Sequence, residues 1–441
     1  HHDFDREFRG EILMPSGIEP FSQMGLEEQL NKVPHVTLDG VELYANQKHL
    51  TTIAFNKELF GKYNPRWVSQ PDLLEMLVGE CSQFKNFKLI RGTRVRELIC
   101  ENNRVLGVIF DGDKRQEQLF ADIVIGTDGR TSRIRSSLGS SFRTDSMPMD
   151  IVWLKVPNIE PNSKLSIYVG EGKLLISAPT HDNNIQLGFV IKKGSFKDIR
   201  KQGPRSLIEA IAQHADPILG NHLREHSAQI KNPFLLRTVA DYVDDWTTPG
   251  TLLLGDAAHT MSPVAAQGLN LAIRDSIVAA NHLIPALAKA SNQNKLDEIT
   301  KRIQVERSIE IETIQKLQSL PPKILFNNTI WTRFLFRIVP ILIKGQVKEI
   351  KKNKKGNIMN IRELINSMPV LAKALVLSAI LGAGWACFSY LHWEHTPTSS
   401  GCECSGCSLY CCTACLDNKN GEGDDCKCGG DCTCASCCPG N

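Results

Sequence analysis

The 441-residue sequence predicts an α/β fold in which strand-to-helix units are interleaved with a mostly β domain. Two observations support this prediction. Short apolar runs at 121–125 and 251–254 each lead into a turn and a helical pattern, as strands buried on both faces do. Between them lie longer runs rich in β-branched and aromatic residues, bounded by Gly, Pro, Asn and Asp, which are typical of β-strands.

The segment 255–275 holds the most informative pattern of the chain. Asp256 follows the run 251–254, at the carboxyl end of a predicted strand, where open α/β sheets place ligands. After a loop containing Pro263, a helix is predicted to begin near Gly268, because apolar and small residues then recur at the spacing of one helix face: Leu269, Ala272, Ile273, Ser276, Ile277 and Ala280. The free N–H groups and positive dipole end of such a helix suit an anion or an electron-rich ring.

This segment resembles the second FAD motif of the para-hydroxybenzoate hydroxylase family, the group A FAD-dependent monooxygenases. The resemblance implies that Asp256 binds ribityl or ribose hydroxyls, and that the cofactor loop contributes four further FAD-binding residues: Pro263, Gly268, Leu269 and Asn270. The chain departs from the family at Ala265 and Ala266, where glycines are common, so we expect a tighter loop. An ordinary strand-loop-helix corner is the alternative.

A second motif, at 121–135, resembles the family's Asp-Gly motif, which lies near the FAD pyrophosphate and is implicated in NAD(P)H binding. The resemblance makes Asp128 and Gly129 cofactor-binding residues. Three arginines would give this turn the positive charge that phosphates require: Arg130, Arg133 and Arg135. Alone, Asp-Gly could be any turn.

Two single residues also resemble FAD-contacting positions of the family, Arg9 and Gln70, although each could be a plain surface residue. The family's opening GxGxxG unit does not precede them. We therefore interpret the Rossmann-like FAD-binding domain as N-terminally truncated. We expect this chain to bind FAD weakly or not at all, because the pyrophosphate turn supplies much of the binding energy.

The predicted strands at 151–157, 165–169 and 185–191, joined by 36–43 and 49–55, resemble the family's mostly β substrate domain, which covers the flavin. Trp153 and Tyr168 are candidates for a substrate pocket, although packing is the favoured interpretation of alternating positions in such a sheet. Trp246 and Pro249 are interpreted as structural. The predicted domains are: FAD-binding 1–34, 69–140 and 239–290; substrate 35–68 and 141–238; C-terminal helices and basic linker 291–365; apolar helix 366–395; Cys-rich tail 396–441.

The resemblance implies a monooxygenase in which NAD(P)H reduces FAD, O2 adds at C4a, and the hydroperoxide hydroxylates a small aromatic or lipophilic substrate. Relatives of this fold also reduce isoprenoid double bonds, which is one alternative function. His259 is the ionisable residue nearest the cofactor loop and is interpreted as structural. A net charge of +3 without a basic, aromatic-interleaved stripe argues against a nucleic-acid partner.

The chain changes character beyond residue 290. A charged helix is predicted over 301–319, ended by the prolines of 320–322, and a Lys-rich stretch over 344–373 could meet anionic lipid or be a solvated linker. The segment 374–393 lacks Asp, Glu, Lys and Arg and has about the length of a membrane span. A membrane anchor and a buried helix are both open, and we expect a cytoplasmic protein that touches a membrane.

Twelve of the fifteen cysteines lie in the tail, which resembles a metallothionein: Cys402, Cys404, Cys407, Cys411, Cys412, Cys415, Cys426, Cys428, Cys432, Cys434, Cys437 and Cys438. Adjacent Cys-x-Cys and Cys-Cys pairs present thiolates to one soft metal ion more readily than they close on themselves as disulfides. Zinc or copper(I) is therefore expected, and a disulfide-rich tail is the alternative. A metal-binding protein with a non-functional flavin fold is the second function class.

Overall fold

The computed structural model describes residues 3–4, 11–55, 60–112, 115–145, 147–160, 162–170, 173–230, 233–289 and 292–326. All of them belong to one of the two compact units of the chain, residues 1–388. Four predictions lie outside the described residues: the contact of Arg9, the basic stretch 344–373, the apolar segment 374–393 and the twelve tail cysteines.

Nineteen strands are formed by the described residues. In chain order they are β1 (Ile12–Leu13), β2 (His35–Thr37), β3 (Gly40–Ala45), β4 (Lys48–Ala54), β5 (Arg66–Val68), β6 (Val95–Glu101), β7 (Arg104–Asp111), β8 (Gln116–Phe120), β9 (Val124–Gly126), β10 (Phe142–Asp145), β11 (Met149–Pro157), β12 (Lys164–Gly170), β13 (Lys173–Pro179), β14 (Asn184–Lys192), β15 (Phe234–Arg237), β16 (Ala240–Val243), β17 (Thr247–Thr248), β18 (Thr251–Leu253) and β19 (His259–Thr260).

The helices of the same residues are α1 (Pro15–Gln23), α2 (Glu27–Lys32), α3 (Gln70–Cys81), α4 (Arg133–Leu138), α5 (Phe196–Lys201), α6 (Pro204–Ala212), α7 (Pro217–Glu225), α8 (Gly268–Ala288) and α9 (Gln293–Phe326). Prolines open α1, α6 and α7 at the first helical position, where no N–H is needed and the fixed φ already suits a helix.

A seven-stranded sheet in the order β15-β11-β14-β13-β12-β3-β4 forms the predicted substrate domain's core. Its neighbours are antiparallel except β3 and β12, which run parallel. The strands predicted at 151–157, 165–169 and 185–191 are confirmed as β11, β12 and β14, and 49–55 as β4. The prediction for 36–43 is wrong in part: β3 joins the sheet, but β2 pairs with β5 instead, and β13 had not been singled out.

The two faces of this sheet pack against different partners. On the first, which we call the helix face, Val152, Leu154, Leu175 and Phe189 pack against α5, α6 and α7. On the second, which we call the loop face, Ile151 and Trp153 belong to a cluster against which Val264 packs. Ile167 and Ala178 belong to another cluster, shared with Ile12, Phe60 and Trp67, against which Ala266 packs. The alternation of side chains along each strand therefore presents one set of residues to the 263–267 loop and the other to helices.

The strand-to-helix units meet in a small sheet of order β17-β18-β9, in which β18 and β9 are parallel. Leu252, Leu253 and Leu254 are buried with Leu271 of α8 and Ile303 of α9, so the buried strand predicted at 251–254 is confirmed. The other predicted strand is buried at Val124 and Gly126, but Ile125 is 40% exposed. The remaining strands form three small sheets, β1-β5-β2, β6-β7-β8 and β10-β16-β19.

Helix α8 begins at Gly268, as predicted, but its most buried line differs from the predicted stripe. The buried residues are Asn270, Leu271, Asp275, Ala279, Leu283 and Ala286, and Ser276 is exposed. The predicted stripe is confirmed in part, since Leu269 and Ile273 pack against a cluster that includes Ile18 and Phe21 of α1. It misses Asn270 and Asp275, which are buried through polar contacts that hydrophobicity does not register. The predicted helix end at 320–322 is also wrong, since α9 continues to Phe326. Prolines near a helix end withdraw few hydrogen bonds and keep a helical φ.

Within the ranges described above, no helix is both long enough and apolar enough to cross a membrane. In those same ranges no group of three or more His, Cys, Asp or Glu side chains could hold a metal ion.

Candidate functional site

The Asp-Gly turn leads from β9 into α4, and its aspartate is used within the turn. Asp128 accepts hydrogen bonds from Ser132 Oγ at 2.5 Å, from the Arg133 N–H at 2.6 Å and from the Ile134 N–H at 3.2 Å. Its carboxylate therefore caps the start of α4, where free N–H groups and the helix dipole favour an anion. Gly129 has φ +82, and a Cβ there would find nothing within 4 Å, so the turn leaves open space beside its backbone.

The three arginines of this turn have different roles. Arg130 donates from Nε to Asp256 Oδ2 at 3.2 Å, and both side chains remain 31% exposed. Arg133 is exposed. The prediction that Arg135 offers charge to phosphates is wrong: it is buried and donates to the carbonyls of Ala257 and Arg130 at 3.0 and 2.7 Å. Arg135 joins the two motif turns to each other because a buried guanidinium has to find acceptors within the protein.

The loop before α8 contains a strained alanine. Pro263 precedes a single 3-10 turn over Val264–Ala266, and Ala266 has φ +49, a conformation that glycine adopts without a Cβ penalty. The predicted departure from the family thus falls on a backbone that favours glycine. At Gln267, which precedes α8, no side chain caps the helix, and no acidic residue lies in the first turn. A Cβ on Gly268 would meet only Met261 Cβ at 4.0 Å, so the helix start is uncapped and open.

Asn270 ties the start of α8 to β1 and α1. Its Oδ1 accepts the Met14 N–H at 2.8 Å, and its Nδ2 donates to the Ile12 and Ala266 carbonyls at 3.2 and 2.8 Å. The residue is fully buried. The Asn270 side chain is thus saturated by backbone groups, so in this structure it holds the loop in place. Leu269 packs with Ile18 and Phe21 of α1, and Gln70 is half-buried as the first residue of α3.

A buried charged network lies directly behind the Asp256 turn. Asp275 Oδ2 accepts the Gly255 N–H at 3.0 Å and lies 2.7 Å from His259 Nε2, while Oδ1 accepts Arg307 Nε at 2.8 Å. Burial raises the pKa of the Asp275 carboxyl, but the charges and hydrogen bonds of His259 and Arg307 outweigh burial and hold that pKa below its usual range. His259 also packs on the Trp246 ring, 5.0 Å between centroids. These contacts support the structural interpretation of His259 and Trp246.

The loop face carries two buried polar side chains, of which only Trp153 was a candidate from the sequence. Trp153 is 5% exposed, and its indole Nε1 has no hydrogen-bond partner among the described residues. Gln186 is fully buried, and neither amide atom has a partner in that same part of the chain. Gln186 was missed; a glutamine inside the apolar run 185–191 was the available signal. Tyr168, by contrast, lies on the helix face and donates to Asp216 at 2.8 Å, so it has the packing role that the sequence favoured and does not line a pocket on the loop face.

Glu11 is a second functional candidate that the sequence did not reveal. It accepts a hydrogen bond from Trp67 Nε1 at 2.7 Å. Trp67 belongs to the same hydrophobic cluster as Ala178 of the loop face. Burial raises the pKa of the Glu11 carboxyl to about 7, although the Trp67 hydrogen bond and the charge of Lys155 lower it. A carboxyl poised near neutral pH beside a substrate-domain sheet is a candidate for proton transfer or binding.

The described residues fit one side of an FAD molecule. The Arg130–Asp256 pair is half-open, so its carboxylate and guanidinium can reach ribityl or phosphate oxygens. Open space at Gly129 and Gly268 allows close approach to the backbone, and the uncapped start of α8 offers N–H groups to an anionic ring edge. The donor set therefore suits a flavin better than a metal ion.

Comparison with known proteins agrees with this geometry. A family model described as "FAD binding domain" matches residues 1–309. The chain is 28% identical over 321 residues to 6-methylpretetramide 4-monooxygenase of Streptomyces rimosus, covering 72% of this chain and 76% of that protein. It is 22% identical over 334 residues to squalene epoxidase 4 of Arabidopsis thaliana, covering 74% of this chain and 64% of that protein, so it spans less than two thirds of this relative.

Two solved structures share the fold. PqsL of Pseudomonas aeruginosa superposes with a TM-score of 0.63 at 18% identity, covering 75% of this chain and 90% of PqsL. The oxygenase of 2-methyl-3-hydroxypyridine-5-carboxylic acid superposes with a TM-score of 0.58 at 17% identity, covering 77% of this chain and 89% of that one. The chain therefore belongs to the FAD binding domain family, and its monooxygenase relatives identify it as an FAD-dependent oxidoreductase.

Proposed function

We propose that the protein is an NAD(P)H-dependent monooxygenase that uses FAD and O2 to oxygenate a small aromatic or lipophilic substrate. One observation carries this proposal: the two motif turns meet at the Arg130–Asp256 pair, beside the uncapped start of α8. The loop that precedes α8 packs against the loop face of the sheet through Val264 and Ala266. A cofactor site and a covering sheet are thus adjacent.

On the cofactor side, we assign Asp256 to hydroxyls of the ribityl chain or ribose. Gly129 leaves room for the pyrophosphate, with Arg130 and Arg133 as the charged donors near it. The N–H groups of Gly268 and Leu269 would bind the electron-rich edge of the flavin ring, on the loop that begins at Pro263. Gln70 and Arg9 remain proposed FAD contacts.

Two of the proposed cofactor residues act through other groups. Asp128 caps α4 and so fixes the direction in which Arg130 and Arg133 leave the turn. Asn270 holds the Met14 and Ala266 backbones, and so fixes the loop on which Gly268 lies. Both are therefore positioning residues in this proposal.

When bound, FAD would supply the redox chemistry, which is hydride acceptance from NAD(P)H and activation of O2. The chain itself has to bind and orient the cofactor and the substrate, and to exclude water from the site. The loop face does this with apolar side chains, among them Ile151, Ile167 and Ala178. The relatives are named for 6-methylpretetramide and for squalene, which supports a small lipophilic or aromatic substrate.

The proposal is tested by FAD titration of the full chain, followed by flavin fluorescence, in the wild type and in Asp256→Asn. Because the sequence predicts weak FAD binding, the titration extends to high FAD concentration, and we expect the substitution to weaken the wild-type binding about tenfold or more, as loss of a charged hydrogen bond does. Asp244→Asn is the matched control, because Asp244 is exposed and its carboxylate pairs with Arg143, which belongs to neither motif. Equal FAD affinity in Asp256→Asn and the wild type would contradict the assigned site.

The reaction is tested at saturating FAD with NADPH, an oxygen electrode and 2-naphthol as the probe. The proposal expects NADPH oxidation with matching O2 uptake and a hydroxylated naphthol by mass spectrometry. NADPH oxidation in which the O2 consumed is recovered as H2O2, with no hydroxylated naphthol, would contradict the monooxygenase assignment.

We also keep the proposal that the cysteines of the tail bind zinc or copper(I), on the strength of their Cys-x-Cys and Cys-Cys spacing. The metal content of the purified full chain and its thiol count with and without a chelator test it. Thiols that become titratable only after chelation would support the proposal, and a chain without metal whose cysteines are all disulfide-bonded would contradict it.

A further inference from the structure

The loop face of the seven-stranded sheet holds two deeply buried polar side chains without partners. They are the indole of Trp153, on β11, and the amide of Gln186, on β14. Burying a polar group without a hydrogen bond costs about 1–3 kcal/mol, so such groups are few in native proteins and call for an explanation.

The strand register places these two groups side by side. Trp153 lies opposite Gly188, and Gln186 lies opposite Lys155 on β11 and Ala178 on β13. Residues two apart share a face, so Trp153, Lys155 and Gln186 project from the loop face together. Trp153 belongs to the cluster that contacts Val264, and Ala178 to the cluster that contacts Ala266. Gln186 therefore lies on β14 between β11 and β13, which contribute residues to the two clusters against which the proposed cofactor loop packs.

The sheet itself leaves these groups unpaired. The ammonium of Lys155, directly opposite Gln186, is held by Asp182 at 2.9 Å. The other cross-strand neighbours, Ala178 and Gly188, carry no polar side chain. A Cβ on Gly188 would lie 2.6 Å from the Trp153 ring, so the glycine makes room for the indole. The ladder thus accommodates both polar groups without satisfying either.

We propose that Gln186 and Trp153 determine substrate specificity by binding a polar edge on an otherwise apolar substrate. The Gln186 amide donates to a carbonyl and accepts from an adjacent N–H or O–H, and Trp153 donates to a second acceptor or to the same carbonyl. The substrate class is therefore an apolar ring system with an amide-like or hydroxyl-carbonyl edge. This inference rests on the proposed function, since it assumes that the loop face covers the substrate.

The unpaired Gln186 amide and Trp153 indole also disfavour a pure hydrocarbon as substrate. A site built to hydrogen-bond a substrate rejects the analogue that lacks the polar group, because its own buried groups then stay unpaired. Gln186 and Trp153 would impose that penalty on an unsubstituted polyene, whereas an amide-like edge would remove it. The unpaired groups thus distinguish two substrate types that the family resemblance leaves together.

The test measures binding of two probes of similar shape to the full chain by equilibrium dialysis, without NAD(P)H. The probes are 2-naphthamide, which carries the polar edge, and 2-methylnaphthalene, which does not. We expect the wild type to prefer 2-naphthamide at least tenfold, Gln186→Leu to lose most of that preference, and Trp153→Phe to lose about threefold. Tyr168→Phe, which removes a hydroxyl from the helix face, should keep the wild-type preference.

A wild type that binds both probes equally, or a Gln186→Leu variant that keeps the wild-type preference, would overturn the inference. If Gln186→Leu does not fold, Gln186→Met replaces it with an unbranched apolar side chain and gives the same two outcomes. The assay needs no flavin reduction. A chain with the expected preference but no O2 uptake would contradict the proposed reaction alone, whereas an active monooxygenase without the preference would contradict this inference alone.

Discussion

Two buried polar regions of the protein differ in how their hydrogen bonds are satisfied. Behind the Asp256 turn, three donors converge on Asp275, from Gly255, His259 and Arg307, and both carboxylate oxygens are paired. On the loop face of the large sheet, the Gln186 amide and the Trp153 indole are equally buried but have no partner among the described residues.

This difference separates the polar groups that hold the site in place from those that we propose recognise the substrate. Asp275 links α9 to the turn that carries Asp256, so its pairing fixes the backbone near the proposed cofactor. One nitrogen each of His259 and Arg307 has no partner in the described part of the chain, but the carboxylate that joins them is saturated. The Gln186 amide makes no hydrogen bond within the described part of the chain, and we propose that its hydrogen-bonding capacity serves a ligand. Saturated polar groups therefore stabilise the site, and unsaturated ones select what enters it.

The largest expected effect is at the saturated region. Asp275→Asn should lower the free energy of unfolding by about 3–5 kcal/mol, because it removes the fully buried carboxylate that pairs with both His259 and Arg307, although Arg307 keeps its ion pair with Glu310. Urea unfolding measures this change. Asp198→Asn is the control, since Asp198 pairs with Lys201 on the surface and should change stability by less than about 1 kcal/mol. A loss below about 1 kcal/mol in Asp275→Asn would show that the network is not structural.

The second effect concerns the contact between α1 and α8. A Cβ on Gly17 would collide with Asn270 Oδ1, which is fixed by the Met14 N–H. Gly17→Ala should cost about 2 kcal/mol or more, and Asn270→Ala a similar amount through lost hydrogen bonds. The double variant should be more stable than the sum predicts, because the collision with Asn270 Oδ1 disappears with the amide and only the milder contact with Leu13 Cδ1, at 2.9 Å, remains. Strict additivity in urea unfolding would contradict the contact.

The third effect is a pH dependence set by Glu11. Since its pKa is raised from 4.5 to about 7, the folded state binds the proton more tightly than the unfolded state. The stability contributed by the protonated carboxyl is fully present below pH 4.5 and is lost as the pH rises through 7.

The side chain introduced in Glu11→Gln is neutral at every pH. The free energy of unfolding of this variant should therefore rise relative to that of the wild type between pH 4.5 and 8, by about 1–3 kcal/mol. Unfolding curves across that range check it, with the exposed Glu28→Gln as control. A difference independent of pH would mean that the Glu11 carboxyl is not buried.

The smallest effect tests the strained loop. Ala266→Gly removes a Cβ at φ +49 and should raise stability by about 0.5–1 kcal/mol, after the greater backbone freedom of glycine in the unfolded state is counted. Ala228→Gly, at an exposed residue of a 3-10 turn, should instead lower stability slightly. A loss in both variants would remove the argument for strain at Ala266.

Much of the cofactor side could be predicted from the sequence, because its signals are local. The strand 251–253, the turn at Asp256 and the helix start at Gly268 follow one another within twenty residues, and α8 begins where its pattern predicts. The strained Ala266 coincides with the departure noted at that position.

The partners of these residues could not be predicted, since they come from distant parts of the chain. Asn270 contacts Met14, Asp275 contacts Arg307, and Arg135 contacts Ala257, each through a polar contact that hydrophobic periodicity does not register. Trp153 and Tyr168 were equivalent in sequence, and only the sheet register placed them on opposite faces. Gln186 became visible only as a polar residue left unpaired after folding.

Substrate recognition by the Gln186 amide is tested most directly by the stability of Gln186→Leu. The sign of the change in the free energy of unfolding is measured by urea unfolding of the ligand-free chain. Because the substitution removes an unpaired buried amide at similar volume, we expect stability to be unchanged or to rise by about 1 kcal/mol, opposite in sign to Asp275→Asn. A loss of more than about 1 kcal/mol would show that the Gln186 amide is already paired within the protein, and would contradict its assignment to substrate recognition.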